Sequence, residues 1–275
     1  MTRARWRRSR LPVAAVLLGA VAPVVHADPG NPLNDRFNIQ LGGFMLSTET
    51  RVRVDGEFSR GTEIDTERDL GLEDSDRFRI DAYWRIAPKH KIRLMYFDTS
   101  NEATRTLDRE LVFNDTVYPV NLEVNAGTET QVTELAYEYT FLKRDTYDLS
   151  GSFGIHNLKF ETFLNGELNG QPLANLSNTS EANGPLPVVG LHGVWRFNDQ
   201  FYIDAMIQYF SISFEEYDGS VTDYTASAVW QFSKHVGVGA GWNNFITKVD
   251  VDGDNFNGHL RWRYGGARIF VTASF

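Results

Sequence analysis

Cysteine is absent from the chain, which removes disulfides, thiolate metal sites and cysteine nucleophiles together. Proline is scarce, 9 in 275 residues, while 42% of the chain is hydrophobic and 13% aromatic. That composition excludes a disordered chain. Past the N-terminus no apolar run reaches the roughly 18 residues that a membrane-spanning helix needs. Basic residues are the minority, 27 against 36 acidic ones. The length allows one large β domain or two ordinary domains.

The first 27 residues read as a signal peptide. Arg3, Arg5, Arg7, Arg8 and Arg10 make a positive n-region, and Leu11 to Val25 an apolar h-region. Val25-His26-Ala27 is a small-residue cleavage site that would start the mature chain at Asp28. A membrane anchor is disfavoured because the h-region is short and interrupted by Pro12 and Pro23. Without the five leader arginines, 22 basic residues face 36 acidic ones, a net charge of −14. Such a balance argues against nucleic acid as a partner.

From Phe37 onward the dominant period is two. In Phe78-Arg79-Ile80-Asp81-Ala82-Tyr83-Trp84-Arg85-Ile86 one face reads Phe, Ile, Ala, Trp, Ile and the other Arg, Asp, Tyr, Arg. Aromatics collect near segment ends: Tyr147, Trp195, Phe197, Phe201, Trp230, Phe232 and Trp242. Rings at strand ends suggest the girdles of a membrane barrel. Connections alternate in length, with short polar turns at 88–90, 143–146, 198–200 and 233–235. Longer, acidic or Gly/Asn-rich connections fall at about 59–76, 101–120, 165–183, 215–220 and 250–257. This pattern predicts ten strands, near 37–58, 77–87, 90–100, 121–142, 147–163, 184–198, 201–214, 221–232, 236–249 and 258–275. Residues 28–275 thus form one all-β domain, a ten-stranded up-and-down antiparallel barrel.

Ile269-Phe270-Val271-Thr272-Ala273-Ser274-Phe275 alternates back from a terminal phenylalanine. Here the chain resembles Gram-negative outer-membrane β-barrel proteins. The resemblance implies residence in the outer membrane, both termini in the periplasm, contact with membrane lipid and lipopolysaccharide, and recognition of Phe275 by the barrel-assembly machinery. The run Asp69-Leu70-Gly71-Leu72 is similar to a feature of uncharacterised proteobacterial barrels and implies no activity. In the last strand Leu260, Trp262 and Tyr264 are even-numbered, whereas Ala267, Ile269, Val271, Ala273 and Phe275 are odd. A bulge at Gly265-Gly266 would reset the parity and return both sets to the lipid face.

Parity places Arg79, Asp81, Arg85, Arg93, Glu134, Glu138, Asp148, Arg196, Asp204 and Arg268 in the lumen, with Arg261 and Arg263 following from the bulge. Charges on the lipid face cost about 2–4 kcal/mol each at midplane, and buried charges need partners. A plug of paired charges is therefore expected ahead of a narrow polar pore or a small solute or ion site. Glu134, His156, His192 and Gln208 fall at similar heights on four consecutive strands. A Glu–His pair could do acid–base work, although ordinary lumen filling is the plainer reading.

Ten strands also resemble the omptin proteases, which use two carboxylates and an Asp–His pair at the outer mouth. Asp74-Ser75-Asp76 offers the carboxylates, but no Asp-x-His follows. Lipid A deacylases and outer-membrane phospholipases use Ser and His on the barrel wall, and His156 and His192 read as inward instead. Asp250-Val251-Asp252-Gly253-Asp254 departs from a calcium loop at its sixth and twelfth positions, Asn255 and Arg261. Glu63, Asp65, Glu67, Asp69, Glu73, Asp74 and Asp76 make a solvated acidic loop more readily than a divalent-cation site. The sequence therefore supports a non-enzymatic barrel, structural or narrow-pore, without cofactor or metal. An outer-membrane hydrolase is the main alternative, and an adhesin using its acidic loops a third.

Overall fold

A computed structural model describes residues 31–72, 77–168, 170–214, 217–252 and 257–275. The signal-peptide segment 1–27, Glu73, the Asp74-Ser75-Asp76 pair and the tip 253–256 lie outside these residues. In chain order the elements are β1 (Phe37–Val54), β2 (Ile64–Asp65), α1 (Thr66–Leu70), β3 (Arg77–Ala87), β4 (His90–Thr106), β5 (Leu111–Phe113) and β6 (Thr116–Tyr118). They continue with β7 (Glu123–Lys143), β8 (Tyr147–Leu168), β9 (Gln171–Arg196), β10 (Phe201–Phe214), β11 (Tyr217–Gln231), β12 (Val236–Asp252) and β13 (Asn257–Ser274).

Ten of these strands form an antiparallel up-and-down ring in the order β13-β12-β11-β10-β9-β8-β7-β4-β3-β1. Its first and last strands pair from Asn38↔Ser274 to Val54↔Gly258. One end of the ring carries the short turns and Phe275, and is called the turn end. The other carries the long excursions, and is called the loop end.

The connections expected at 165–183 and 215–220 are mostly strand, since β8 and β9 run to Leu168 and from Gln171, and β10 and β11 to Phe214 and from Tyr217. The outer sides of these stretches carry polar side chains, as at Ser177, Thr179, Glu181, Ser211 and Asp218. Their ladder is satisfied by the neighbouring strand, and neither face needs the apolar alternation that marks a strand in sequence.

Two levels of the ring differ in chemistry. In the turn-end half the outer face is an apolar belt of exposed side chains. Leu135, Tyr137, Tyr139 and Phe141 lie on β7, Leu149, Phe153 and Ile155 on β8, and Ile269 and Val271 on β13. Near the turns its rings pair, as in Phe37–Trp84 at 5.9 Å, Trp195–Phe197 at 5.8 Å and Phe201–Trp230 at 6.3 Å. In the loop-end half the pattern inverts. Outward positions become polar, as at Gln131 and Glu129 on β7, and inward ones become apolar, as at Val124, Ala126 and Val132. There Phe44, Phe97, Phe245, Trp262 and Tyr264 form one aromatic core, with Tyr264 5.7 Å from Phe44, 5.0 Å from Phe97 and 5.1 Å from Phe245.

This inversion corrects the bulge expected at Gly265-Gly266. The register of β13 against both β1 and β12 is unbroken there. Leu260, Trp262 and Tyr264 point inward and are buried, while Arg261 and Arg263 are exposed on the outer face rather than in the lumen. The change of parity in the sequence reports a change of solvent, not an extra residue. Bulges occur instead at Arg85/Ala87, Thr140/Leu142 and Asn165/Glu167.

Inserted segments close the loop end. α1 is capped by the Asp65 carboxylate, which accepts from the Arg68 amide, and by Gly71 at φ 72°. Gly71 and Leu72 donate back to Glu67 and Thr66, a Schellman-type end that sends Leu70 and Leu72 into the core. Asp69 holds the segment by accepting from Arg68 at 2.9 Å, Arg109 at 2.6 Å and the Asp65 amide at 3.0 Å. Burial works against its charge, but these bonds prevail and lower its pKa to about 2. The hairpin β5–β6 turns through Asn114 and Asp115, both at positive φ, the two-residue geometry its pairing requires. Leu107, Leu111, Phe113 and Tyr118 are buried in the same core.

Two outcomes test this arrangement. Quenching by brominated lipid is expected to reach a variant retaining only Trp242 and to miss one retaining only Trp262; equal quenching would restore the lipid-facing reading of Trp262. For the cap, a depressed carboxyl gives stability that is present above its unfolded value, 3.8, and lost as pH falls through about 2. Amide protection of residues 63–72 should therefore be flat from neutral pH down to about 4 and fall below it, and Asp69→Asn should lower it at neutral pH.

Candidate functional site

The turn-end half of the lumen is lined by charge. β3 sends in Arg79, Asp81 and Arg85, β4 Lys91 and Arg93, β7 Glu134 and Glu138, and β8 Asp148 and His156. β9 contributes His192, β10 Asp204 and Gln208, β11 Asp223, and β13 Arg268. Each stands opposite a belt residue because successive side chains alternate faces.

Three connected groups result. In the first, Arg79 holds Asp81 through Nε at 2.9 Å and Nη2 at 2.9 Å. Asp81 also accepts from Arg268 at 3.2 Å. Arg79 donates to the Asn243 side-chain oxygen at 2.9 Å, and the Asn243 amide donates to Asp223 at 2.7 Å. Arg268 also reaches Gln40 and lies over the Phe270 ring at 4.3 Å. Gly239 leaves room for that ring, since a Cβ there would run into Phe270.

In the second group, Glu138 is reached by Arg93 at 3.2 Å and Lys91 at 3.5 Å. His192 lies between two carboxylates, with Nδ1 3.1 Å from Glu138 and Nε2 2.8 Å from Asp204. In the third, Gln208 donates to Glu134 at 2.6 Å, its carbonyl lies 3.0 Å from His156 Nε2, and the His156 ring stacks on Phe245 at 5.7 Å. The four-residue cluster expected from sequence is thus divided. Glu134, His156 and Gln208 meet, whereas His192 joins Glu138 and Asp204. Asp148 receives Arg85 only at 3.9 Å.

Arg196 is corrected: it lies at the turn between β9 and β10, pairing with Asp199 at 2.8 Å and donating to the Asp145 carbonyl. It shares the inward parity of His192 and Val194, but as the last residue of its strand it stands at the rim, where its side chain reaches the neighbouring turns instead of the lumen. Lys91, Asp223 and Asn243 were not singled out in the sequence, although inward parity on their strands marks them.

The turn end is closed by residues 31–36. Leu33 is buried against Val194, Tyr202, Val229 and Phe270. Arg85 donates to the carbonyls of Pro32 and Asp35, and Lys143 to that of Leu33 at 2.8 Å. Phe275 completes this end, its carbonyl accepting from the Phe37 amide at 2.9 Å and its ring stacking on His235 at 5.0 Å. Burial is the main cause that raises the Asp35 carboxyl to about 6.

At the loop end His259 Nδ1 lies 2.6 Å from Asp250, which removes that carboxylate from an open calcium-loop arrangement. Among the described residues no group of three or more acidic or histidine side chains could hold a metal ion.

No protein-family model and no curated protein matches the chain. Solved structures do. The outer membrane protease OmpT from Escherichia coli matches with a TM-score of 0.56 at 13% identity, covering 87% of this chain and 96% of that one. The translocator domain of the autotransporter NalP from Neisseria meningitidis matches at TM-score 0.44 and 10% identity, over 88% and 90%. Ail, the attachment invasion locus protein of Yersinia pestis, matches at 0.34 and 9%, over 86% and 96%. The likeness to OmpT shows a shared outer-membrane β-barrel fold.

Removing Glu138 takes the carboxylate from Arg93 and Lys91 together and leaves His192 with Asp204 alone. Glu138→Ala should destabilise the barrel by about 3–5 kcal/mol in urea unfolding, and Arg196→Ala by less than about 0.5 kcal/mol. Equal effects would mean that the network carries little. At the turn end, a raised carboxyl gives stability that is complete below its unfolded value, 3.8, and lost as pH rises through about 6. Corrected for intrinsic rates, amide exchange of residues 33–36 should be faster at pH 7.5 than at about pH 5, and Asp35→Asn should remove the difference.

Proposed function

We propose that this chain is a structural, non-enzymatic barrel of the Gram-negative outer membrane, with its turn end and both termini in the periplasm and its loop end outside. What carries the reading is the filled interior. A charge-paired half is stacked under an apolar half, residues 31–36 close one end, and α1 with β5–β6 closes the other. The apolar belt supports a bilayer location, because its exposed rings and aliphatic side chains match the outward band of such barrels. Long excursions at one end and short turns at the other support the orientation.

The hydrolase alternative needs an acid–base group that substrate can reach. His156 and His192 are 0% and 2% exposed and enclosed by the network, which favours a structural role for both. The filled lumen likewise favours the plug over a narrow pore.

Conductance tests the reading. In planar bilayers the wild-type chain is expected to give no unitary steps, and Glu138→Ala to give intermittent leak. Regular steps from the wild type would replace the plug with a pore. Cleavage of lipid or peptide by the purified chain, lost in His192→Gln, would replace it with an enzyme.

A further inference from the structure

β9 has two unequal sides. Against β8 it pairs from Gln171 to Trp195, with one irregularity between Pro172 and Ser177. Against β10 it pairs only from Val189 to Arg196. Val189 and Tyr209, the uppermost of those pairs, are exposed at the top of the apolar belt. Above them β10 ends at Phe214, while β9 reaches to Gln171.

The lower end of β9 shows which groups face the open side. The Arg196 amide donates to the Thr146 carbonyl, toward β8, and the Phe197 amide to the Phe201 carbonyl, toward β10. N–H and C=O of one residue point to the same side and alternate along a strand. The register from Trp195 to Ser177 is unbroken, so the odd-numbered residues of β9 face β10. Pro187 would be the next to donate and has no N–H, so the ladder stops there, and Pro185 follows it. Beyond the prolines Asn183, Glu181, Thr179 and Ser177 turn their amides and carbonyls to the open side. None has a main-chain partner there among the described residues.

Free strand edges are commonly guarded by lysine, proline, a bulge or a covering segment. Between Ser177 and Asn183 the sequence is Ser, Asn, Thr, Ser, Glu, Ala, Asn, without lysine or proline. The window is also held rigid. β8 bonds it on the closed side. On the inner face the Asn178 amide donates to Thr116 Oγ1 at 2.9 Å and to the Tyr118 hydroxyl at 3.0 Å, both on the cap hairpin. An edge already extended adds a strand with little ordering cost of its own.

The outer face beside the window selects the kind of strand. Glu181, Glu161 and Glu129 stand abreast on β9, β8 and β7. Lys159 offsets them only in part, at 3.9 Å from Glu161 and 3.5 Å from Glu181. A strand added to β9 puts one side chain abreast of Glu181, where a cation is attracted and a carboxylate repelled. A second copy pairing through the same window brings no cation. We infer that residues 177–183 are a docking edge for an extended, basic segment of another protein, which adds to β9 as a strand. The edge lies outside the cell in the orientation proposed above, but pairing in micelles does not depend on that orientation, so the two readings fail separately.

The experiment uses the full-length chain in detergent micelles and a short peptide that alternates Lys and Thr. Amide exchange at Thr179, Glu181 and Asn183 is expected to be fast in the free chain and slow with the peptide, whereas Ser180 and Ala182, bonded to β8, stay slow in both. The peptide N-methylated at its Lys amides keeps its charge but loses the donors on the edge that sets Lys outward, and should bind about tenfold more weakly. Thr179→Pro removes an edge donor without touching the ladder to β8 and should weaken binding by about tenfold as well. Glu181→Gln should weaken it by about twofold to fivefold. Heat-modifiable mobility checks that each variant is folded. Unchanged exchange at Thr179 with peptide overturns the proposal, as does equal binding of the N-methylated peptide, which would mean attraction by charge alone. Equal binding of a peptide with Glu in place of Lys overturns the basic partner. Protection of Thr179 and Glu181 that rises with protein concentration in the absence of peptide assigns the edge to a second copy and also overturns it.

Discussion

Every strand of the ring but β3 is longer than the bilayer such a barrel crosses, so its outer face meets two solvents along its length. In the turn-end half the outer face carries Leu135, Phe153 or Ile269, and the inner face is left to charge. In the loop-end half the outer face carries Glu129, Lys159 or Arg261, and the inner face must supply the hydrophobic core that a water-exposed structure needs. One change of surroundings at one height thus sets the chemistry of both faces, and divides the interior into a paired-charge half and an aromatic half.

Each closure follows from the half it serves. The loop-end core would face water at its open end, so the cap brings apolar side chains: Leu70 from α1 and Leu72 just past it, Leu111 and Phe113 from β5, Tyr118 from β6. The turn-end half ends in cations with spare donors, so residues 31–36 bring backbone carbonyls to Arg85 and Lys143. An apolar plug there would have left those donors unsatisfied, and buried donors without partners cost about 1–3 kcal/mol each.

The wall was legible in the sequence where its outer face is apolar. Nine of the ten expected strands begin within four residues of the observed ones, because belt alternation and polar turns mark them from the turn end upward. β9 is the exception. It begins at Gln171 rather than near 184, because residues 171–183 have water outside and offer no alternating apolar face. The same gap hid the cap. Leu111, Phe113 and Tyr118 sit in a stretch without belt alternation, although the Asn114-Asp115 pair between two short apolar runs is a hairpin signal. Trp262 reads as lipid-facing only if parity is carried across the solvent boundary as though the lipid continued. Height alone groups His192 with Glu134. The choice between Glu134 and Glu138 depends on which side chains cross the lumen, and register along one strand does not carry that.

A paired-charge interior is not the cheapest way to fill the turn-end half. Replacing buried ion pairs by well-packed apolar side chains is often neutral or stabilising by about 1–4 kcal/mol. But such a replacement would make every belt strand apolar on both faces. The segment Phe78 to Ile86 would lose Arg79, Asp81 and Arg85 and become a nine-residue apolar run. A run of that kind has the β-propensity and low charge of an aggregating segment. Any chain that must reach a membrane before it folds exposes these segments to water, and there the alternating charges keep each strand soluble. Once the ring forms, the same charges meet inside it: Arg93 on β4 with Glu138 on β7, Arg268 on β13 with Asp81 on β3, and His192 on β9 with Asp204 on β10. The first and third pairs join neighbouring strands, but the second reaches from the last strand past the first to its far neighbour, so it can form only when the ring has closed. Solubility before folding and cross-ring pairing after it thus come from the same inward residues, at the expense of some folded-state stability.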